Sequence, residues 1–356
     1  MAPRRGLPSA RALRSVSRVE PTVQPLTVLQ PQEVLFAEGA RELPVLSACE
    51  HYAGAERFLR KALELQQQLG GTFDVTVDCE DGARAGAERE QIELAVALLH
   101  DPLNRHDRLG VRIHGFHDAV WRQDVDLLLA GAARRVAYLT LPKVTCAAQV
   151  ETMAAHIRSG CARYAEGRIL PLHVLIETQG ALREVWQIAA LPAVEVLDFG
   201  LMDFVSDHQG AIPEAAMRSP DQFEHRLVAR AKAEVAAAAL AHGVVPAHNV
   251  TLALKDSAQT RADAARAQRE FGFQRMWSIY PTQIEAILAG MAPDFSRLPR
   301  ALALLARAQD AGWGPVAFEG QLQDRGTYRE AWRLVRQARA RALPLGAEAE
   351  RRFFGA

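Results

Sequence analysis

The chain has 356 residues, with 42 basic and 42 acidic side chains and a formal net charge of zero at pH 7. That balance argues against nucleic acid or a membrane surface as the main partner, and no apolar run approaches the roughly 20 residues that span a bilayer. Hydrophobic residues make up 49% of the chain, ample for one α/β barrel of about 250 residues plus additions. The cysteines Cys49, Cys79, Cys146 and Cys161 have no metal-ligand spacing, which points to a reducing cytoplasm and no disulfide framework.

Met1–Glu20 carries five Arg and no acid before Glu20. It reads as a disordered tail through residue 32, although the composition also allows a transit peptide. A barrel is expected over 33–293 and a C-terminal lid with helices over 294–356. Glu42–Ser47 reads as the first strand, followed by Cys49-Glu50-His51-Tyr52 in a loop. Helical spacing then runs from Ala55 to Leu69 and closes on Gly70-Gly71. Phe73–Cys79 reads as strand two, ending in Asp78, Glu80 and Asp81. Three acids so close together need cations or waters to meet them. Val111–Ile113 is strand three, with Arg112 at its end and His114 just beyond. Val136–Leu141 is strand four, ending in Pro142-Lys143. Helices are expected over Ala87–Leu99, Asp124–Ala130 and Val150–Ala162 between these strands.

Leu170–Ile176 and Val194–Phe199 are short apolar runs on either side of a helical stretch, Ala181–Ala190. They read as two buried parallel strands of one βαβ unit. The first ends on Glu177 and the second runs into Gly200-Leu201-Met202-Asp203. Parallel neighbours aim their C-terminal ends the same way, so both carboxylates are expected at one mouth. Two oxygen ligands without a His or Cys suit a hard cation such as Mg²⁺. The spacing alone equally allows Glu177 to cap a helix and Asp203 to order a turn. Gln222–Ala241 reads as one long Ala-rich helix, Val244–Thr251 as strand seven and Ala258–Phe271 as a helix. Gln274–Ile279 reads as strand eight, and Tyr280-Pro281 opens the next helix. Eight βα units predict a closed (β/α)8 barrel of the TIM type. A doubly wound sheet is the alternative, and no glycine-rich dinucleotide turn supports it.

The ordered motifs VLIETQGAL (Val174–Leu182), LDFGLMDF (Leu197–Phe204), FDVTVDCEDGARAGAE (Phe73–Glu88), LGVRIHG (Leu109–Gly115), YLTLPKV (Tyr138–Val144), MWSIYPTQIE (Met276–Glu285) and FEGQLQDRGTYREA (Phe318–Ala331) resemble the citrate lyase β-subunit and malyl-CoA lyase family of (β/α)8 lyases. The resemblance implies Mg²⁺ on Glu177 and Asp203. It places Glu80 and Asp81 around the metal or Arg112, and Arg112 against an enolate or carboxylate oxygen. Asp324, in the C-terminal lid, would act on a neighbouring subunit, which implies a homotrimer or hexamer. Asp324 reads equally as the N-cap of the last long helix. The chain departs from the family in three places: no Arg matches the usual opening motif, His114 stands for Asn, and Tyr280 stands for His. His51, His114, Met202 and Tyr280 are the candidate substrate contacts. Lys143 as a Schiff-base amine is the weaker reading, because the nearby acids raise its pKa.

The expected activity is Mg²⁺-dependent carbon–carbon cleavage of a 3-hydroxyacyl thioester, on CoA or a carrier protein, to a 2-oxo acid and an acyl thioester. The alternatives are a metal-dependent pyruvate aldolase on free acids, a malate-synthase-like condensation, and a carrier-dependent or non-catalytic subunit.

Overall fold

Short buried runs alternate along the chain with amphipathic stretches, and eight of these runs are the strands of a closed barrel. The computed structural model describes residues 29–36 and 40–355. Eight parallel strands close in sequence order: β1 (Cys49–Ala53), β2 (Asp74–Asp78), β3 (Leu109–Arg112), β4 (Leu139–Leu141), β5 (Leu172–Ile176), β6 (Val194–Phe199), β7 (Val245–His248) and β8 (Arg275–Ser278). Closure is made by β8 on β1, with Glu50 opposite Trp277 and His51 opposite Ser278. No helix among the described residues is long and apolar enough to cross a membrane.

The pleat sorts each strand into two faces. Val75, Val77, Val111, Val174 and Leu197 pack outward into the main apolar core with the helices. The inward face is partly apolar, with Leu175, Val196, Val245 and Trp277, and partly charged. Arg275 Nη2 lies 2.8 Å from Glu50 and 2.7 Å from Asp74. His173 Nδ1 lies 3.3 Å from Glu50, and Thr76 Oγ1 donates to Glu50 at 2.7 Å. Trp277 Nε1 donates to Asp198 at 2.6 Å, and Tyr138 stacks on His173. A Cβ at Gly110 would overlap the Tyr138 ring, so this glycine makes room for the stack. Buried charges persist only when paired, and this network pairs them across the bore.

Three expectations need correction. Glu42–Ser47 is not a strand, and the first strand is Cys49–Ala53. Pro44 brings no N–H for a ladder, and Leu43 and Leu46 pack instead against the apolar residues of the bore. His51 therefore lies on a strand and not in a loop. The stretch Ala181–Ala190 breaks at Glu184 into Gln179–Arg183 and Val185–Ala189, where Glu184 turns its carboxylate to accept from Ala147 N–H. Gln222–Ala241 breaks at His225, whose backbone is extended.

The C-terminal segment makes a second core. Helices Leu298–Asp310, Arg325–Ala340 and Ala347–Phe354 pack with Trp313, and the hairpin of β9 (Val316–Phe318) and β10 (Gln321–Gln323) joins them. Leu35 of the helix Pro31–Leu35 is buried in that core, and Trp313 Nε1 donates to Leu29 O at 3.1 Å. The expected tail through residue 32 is thus corrected from Leu29 onward, and residues 1–28 lie outside the described residues. The unit docks at the strands' N-terminal end: Arg333 reaches Gln274, just ahead of β8, and Arg336 reaches Leu43 O, ahead of β1.

The bore network predicts a pH dependence of stability. Burial works against a charged His173, but the Glu50 carboxylate outweighs it and pushes the pKa to about 9. A raised folded-state value stabilises fully below the unfolded value of about 6.5 and loses that contribution as pH climbs through about 9. Urea unfolding should therefore show stability falling across this window, by at most ~1.4 kcal/mol per pH unit from this residue. In His173→Gln the slope should flatten; an unchanged slope would exclude His173 as its source.

Candidate active site

The C-terminal ends of β2 to β6 bring the acids together. Glu177 follows β5 and is 2% exposed. It does not cap the next helix, because Thr178 does so, its Oγ1 accepting from Ala181 N–H at 3.0 Å. Glu177 Oε1 accepts from Lys143 N–H at 2.6 Å. That donor is aimed by an unusual backbone: Lys143 has φ 51, in the left-handed region. Asp203 lies in the first turn of the helix Leu201–Asp207 and is half-buried. Burial, and then the neighbouring Asp203 charge, push the Glu177 pKa up to about 8.

Asp78 organises the opposite side. Arg112, the last residue of β3, forks onto it through Nε at 2.8 Å and Nη2 at 2.5 Å. Asp78 also accepts from the backbone N–H of Glu80 and Gly82. Arg112 Nη1 lies 3.3 Å from Glu80. Burial opposes the Arg112 charge, but Asp78 and Glu80 outweigh it and hold the group firmly charged. Lys143 Nζ bridges Glu80 and Asp81. Burial opposes its charge too, and the two acids raise its pKa above the usual range, which disfavours the Schiff-base reading. Asp81 meets Lys143 and not Arg112, whereas Glu80 meets both.

The remaining expected residues divide. Met202, 53% exposed, and half-buried Tyr280 stand at strand ends on the same face of the barrel. His114 is buried, with Nδ1 2.7 Å from Asp124. His51 is corrected: it lies on the face of β1 opposite to inward-facing Glu50 and Tyr52, level with Ser278, and its Nδ1 bonds Ser278 Oγ at 2.7 Å, so it points away from the bore. Asp324 caps the helix Arg325–Ala340, accepting from Gly326 N–H at 2.9 Å. It belongs to the unit docked at the far end of its own barrel. Asp78 and the Asp124 partner of His114 were not singled out from sequence. Asp78 was one of three crowded acids that the sequence allowed to pair with Arg112, and nothing distinguished Asp124 from an ordinary helix residue.

Glu177 and Asp203 fit a hard cation. Among the described residues, no hydrogen-bond donor reaches Glu177 Oε2 or the Asp203 carboxylate, and the set is all oxygen, as Mg²⁺ prefers. A deeper trio, Glu50, His173 and Asp198, brings ligand atoms within 4.8 Å of one another, but the Arg275 guanidinium already serves that position as cation.

The sequence model of the HpcH/HpaI aldolase/citrate lyase family matches residues 65–281, more than half of the chain. The chain belongs to this family. It is 30% identical over 245 residues to the L-malyl-CoA/beta-methylmalyl-CoA lyase of Cereibacter sphaeroides, covering 65% of this chain and 76% of that one. A solved citrate lyase from Burkholderia xenovorans LB400 is 48% identical, with TM-score 0.82, covering 91% of this chain and all of that one. The Mycobacterium tuberculosis protein CitE, solved with magnesium, acetoacetate and coenzyme A, shares the fold at 22% identity and TM-score 0.62, over 83% of this chain and 98% of that one.

A Cβ at Gly200 would overlap Glu177 Oε2. Gly200→Ala should therefore weaken Mg²⁺ binding, read by calorimetry, by about tenfold or more, equivalent to ~1.4 kcal/mol. The circular dichroism spectrum should stay native. Unchanged affinity would show that Glu177 is not a ligand.

Proposed function

We propose that the protein is a Mg²⁺-dependent carbon–carbon lyase. It cleaves a 3-hydroxyacyl thioester of the citryl, malyl or citramalyl type to a 2-oxo acid and an acyl thioester. The observation that carries this reading is the pair Glu177 and Asp203, met by a single backbone N–H among the described residues, beside a clamped arginine in a barrel of this family. When bound, Mg²⁺ supplies Lewis-acid stabilisation of negative charge on substrate oxygens.

The chain's own groups supply the rest. Cleavage removes the hydroxyl proton, breaks the C–C bond and leaves its electron pair as an enolate on the thioester half. Of the five N–H donors of a guanidinium, Arg112 commits three to Asp78 and Glu80. The other two are available to the enolate oxygen, and the Asp78 fork spares the arginine any reorganisation as charge develops. To Glu80, whose pKa burial raises, we assign the uptake of the hydroxyl proton next to Arg112. Met202 and Tyr280 are assigned to the substrate wall. Asp324 is assigned to protonate the enolate carbon of a neighbouring copy, which makes the working form a homotrimer or hexamer. The cysteines are free, consistent with action in the cytoplasm.

A pyruvate aldolase acting on free acids is the second reading. It is favoured by β1, which carries Glu50 and Tyr52 inward and no arginine. Purified protein with Mg²⁺ should release a 2-oxo acid from malyl-CoA or citramalyl-CoA, and chelation should abolish this. Turnover of free 4-hydroxy-2-oxo acids alone would replace the lyase reading with the aldolase. Arg112→Lys keeps a charge but loses the fork, so kcat should drop by about 100-fold or more with a smaller change in KM.

A further inference from the structure

A cavity of about 510 Å³ opens beside the metal-ligand pair, between the loops that follow β2, β3 and β4, and its wall includes Glu80, Arg84, His114 and Lys143. Its hydrogen-bonding capacity is lopsided. Every carboxylate on it is engaged: Glu80 with Arg112 and Lys143, Asp81 with Lys143, Glu88 with Gly86 N–H and Asp118 with Val120 N–H. Lys143 is spent on those acids. Three side chains keep uncommitted nitrogens, Arg84, His114 and His117, the last already tied to the Gln149 amide through Nε2. Arg84 is exposed at the rim and makes no ion pair among the described residues. His114 is locked from behind, because Asp124 Oδ2 accepts from both its backbone N–H at 3.0 Å and its Nδ1 at 2.7 Å. That leaves Nε2 without a partner among the described residues.

We propose that this cavity is an anion subsite, in which His114 Nε2 and the Arg84 guanidinium grip a carboxylate or phosphate carried by the substrate outside the part that faces Glu177 and Asp203. The Asp124 carboxylate, 2.7 Å from Nδ1, favours the charged ring, and in that form Nε2 carries a proton to donate to an anion. The inference rests on the lyase reading for the identity of the substrate, and it names what the exchange of the family's asparagine for His114 is for. It also bears on the missing N-terminal arginine, since anion recognition would come from β3 and the loop after β2.

Calorimetric titration separates the two sources of the anion. One arm compares pyruvate with 2-oxoglutarate in the presence of Mg²⁺. The other compares coenzyme A with its 3′-dephospho form. The wild type should favour the extra anionic group by about tenfold in one arm. That preference should largely vanish in His114→Asn and weaken in Arg84→Ala, an exposed change that leaves the fold intact should the first variant prove unstable. No preference in either arm, or a preference that survives both substitutions, overturns the subsite. Pyruvate that fails to bind the wild type with Mg²⁺ would sink the lyase reading instead, and the coenzyme A arm, which needs no metal, would still decide the subsite.

Discussion

Asp78, Glu80, Asp81, Glu177 and Asp203 gather at one end of this barrel, and among the described residues Arg112 and Lys143 are the side-chain cations paired with them. Asp78, Glu80 and Asp81 are answered by Arg112 and Lys143. Glu177 and Asp203 are answered by a single backbone N–H. Concentrated like charge of this kind is costly in a partly buried place. The cost shows in Glu177, whose proton is held up to about pH 8. An ion that replaced that proton would turn an unfavourable cluster into a bound site. The unbalanced charge is thus the feature from which the catalytic reading follows.

The two ends of the bore solve the same problem differently. Deeper down, Glu50, Asp74, His173 and Arg275 neutralise one another with no small ion, and the strands are tied across the centre. At the mouth the pairing is incomplete. The line between the two regimes is drawn by Tyr52, which stacks on Trp277 and lies under the Arg112 guanidinium. Permanent charge below it serves stability, and exchangeable charge above it serves chemistry.

Arg112 and Lys143 also join neighbouring functions. Through Asp78 and Glu80, the arginine ties β2 to β3. Through its backbone and its side chain, Lys143 ties Glu177 to Glu80 and Asp81. A change at either would disturb both the surroundings of Glu177 and the cavity lined by His114. The C-terminal unit stands apart from this arrangement. It is docked at the opposite end of its own barrel, so a role for Asp324 in the chemistry requires a second copy of the chain.

The barrel was legible in the sequence, since short runs that repeatedly alternate with helical spacing admit few other closures, and β6 even has its expected bounds. The meeting of Glu177 and Asp203 was legible as well, because strand direction alone sends the two carboxylates to one end. Misjudged were the elements whose state depends on distant contacts. Pro44 and the leucines near it read as a strand until the bore needed an apolar lining, and Leu29–Gln32 read as tail and Leu35 as barrel until a second core took in the helix Pro31–Leu35. Periodicity reveals which residues must leave water, but not which neighbour receives them. For the same reason tertiary structure alone decided that His51 faces the helices, that Asp124 stands behind His114 and that Asp78 clamps Arg112, for each of these contacts joins residues that only closure of the barrel or packing of its helices brings within reach.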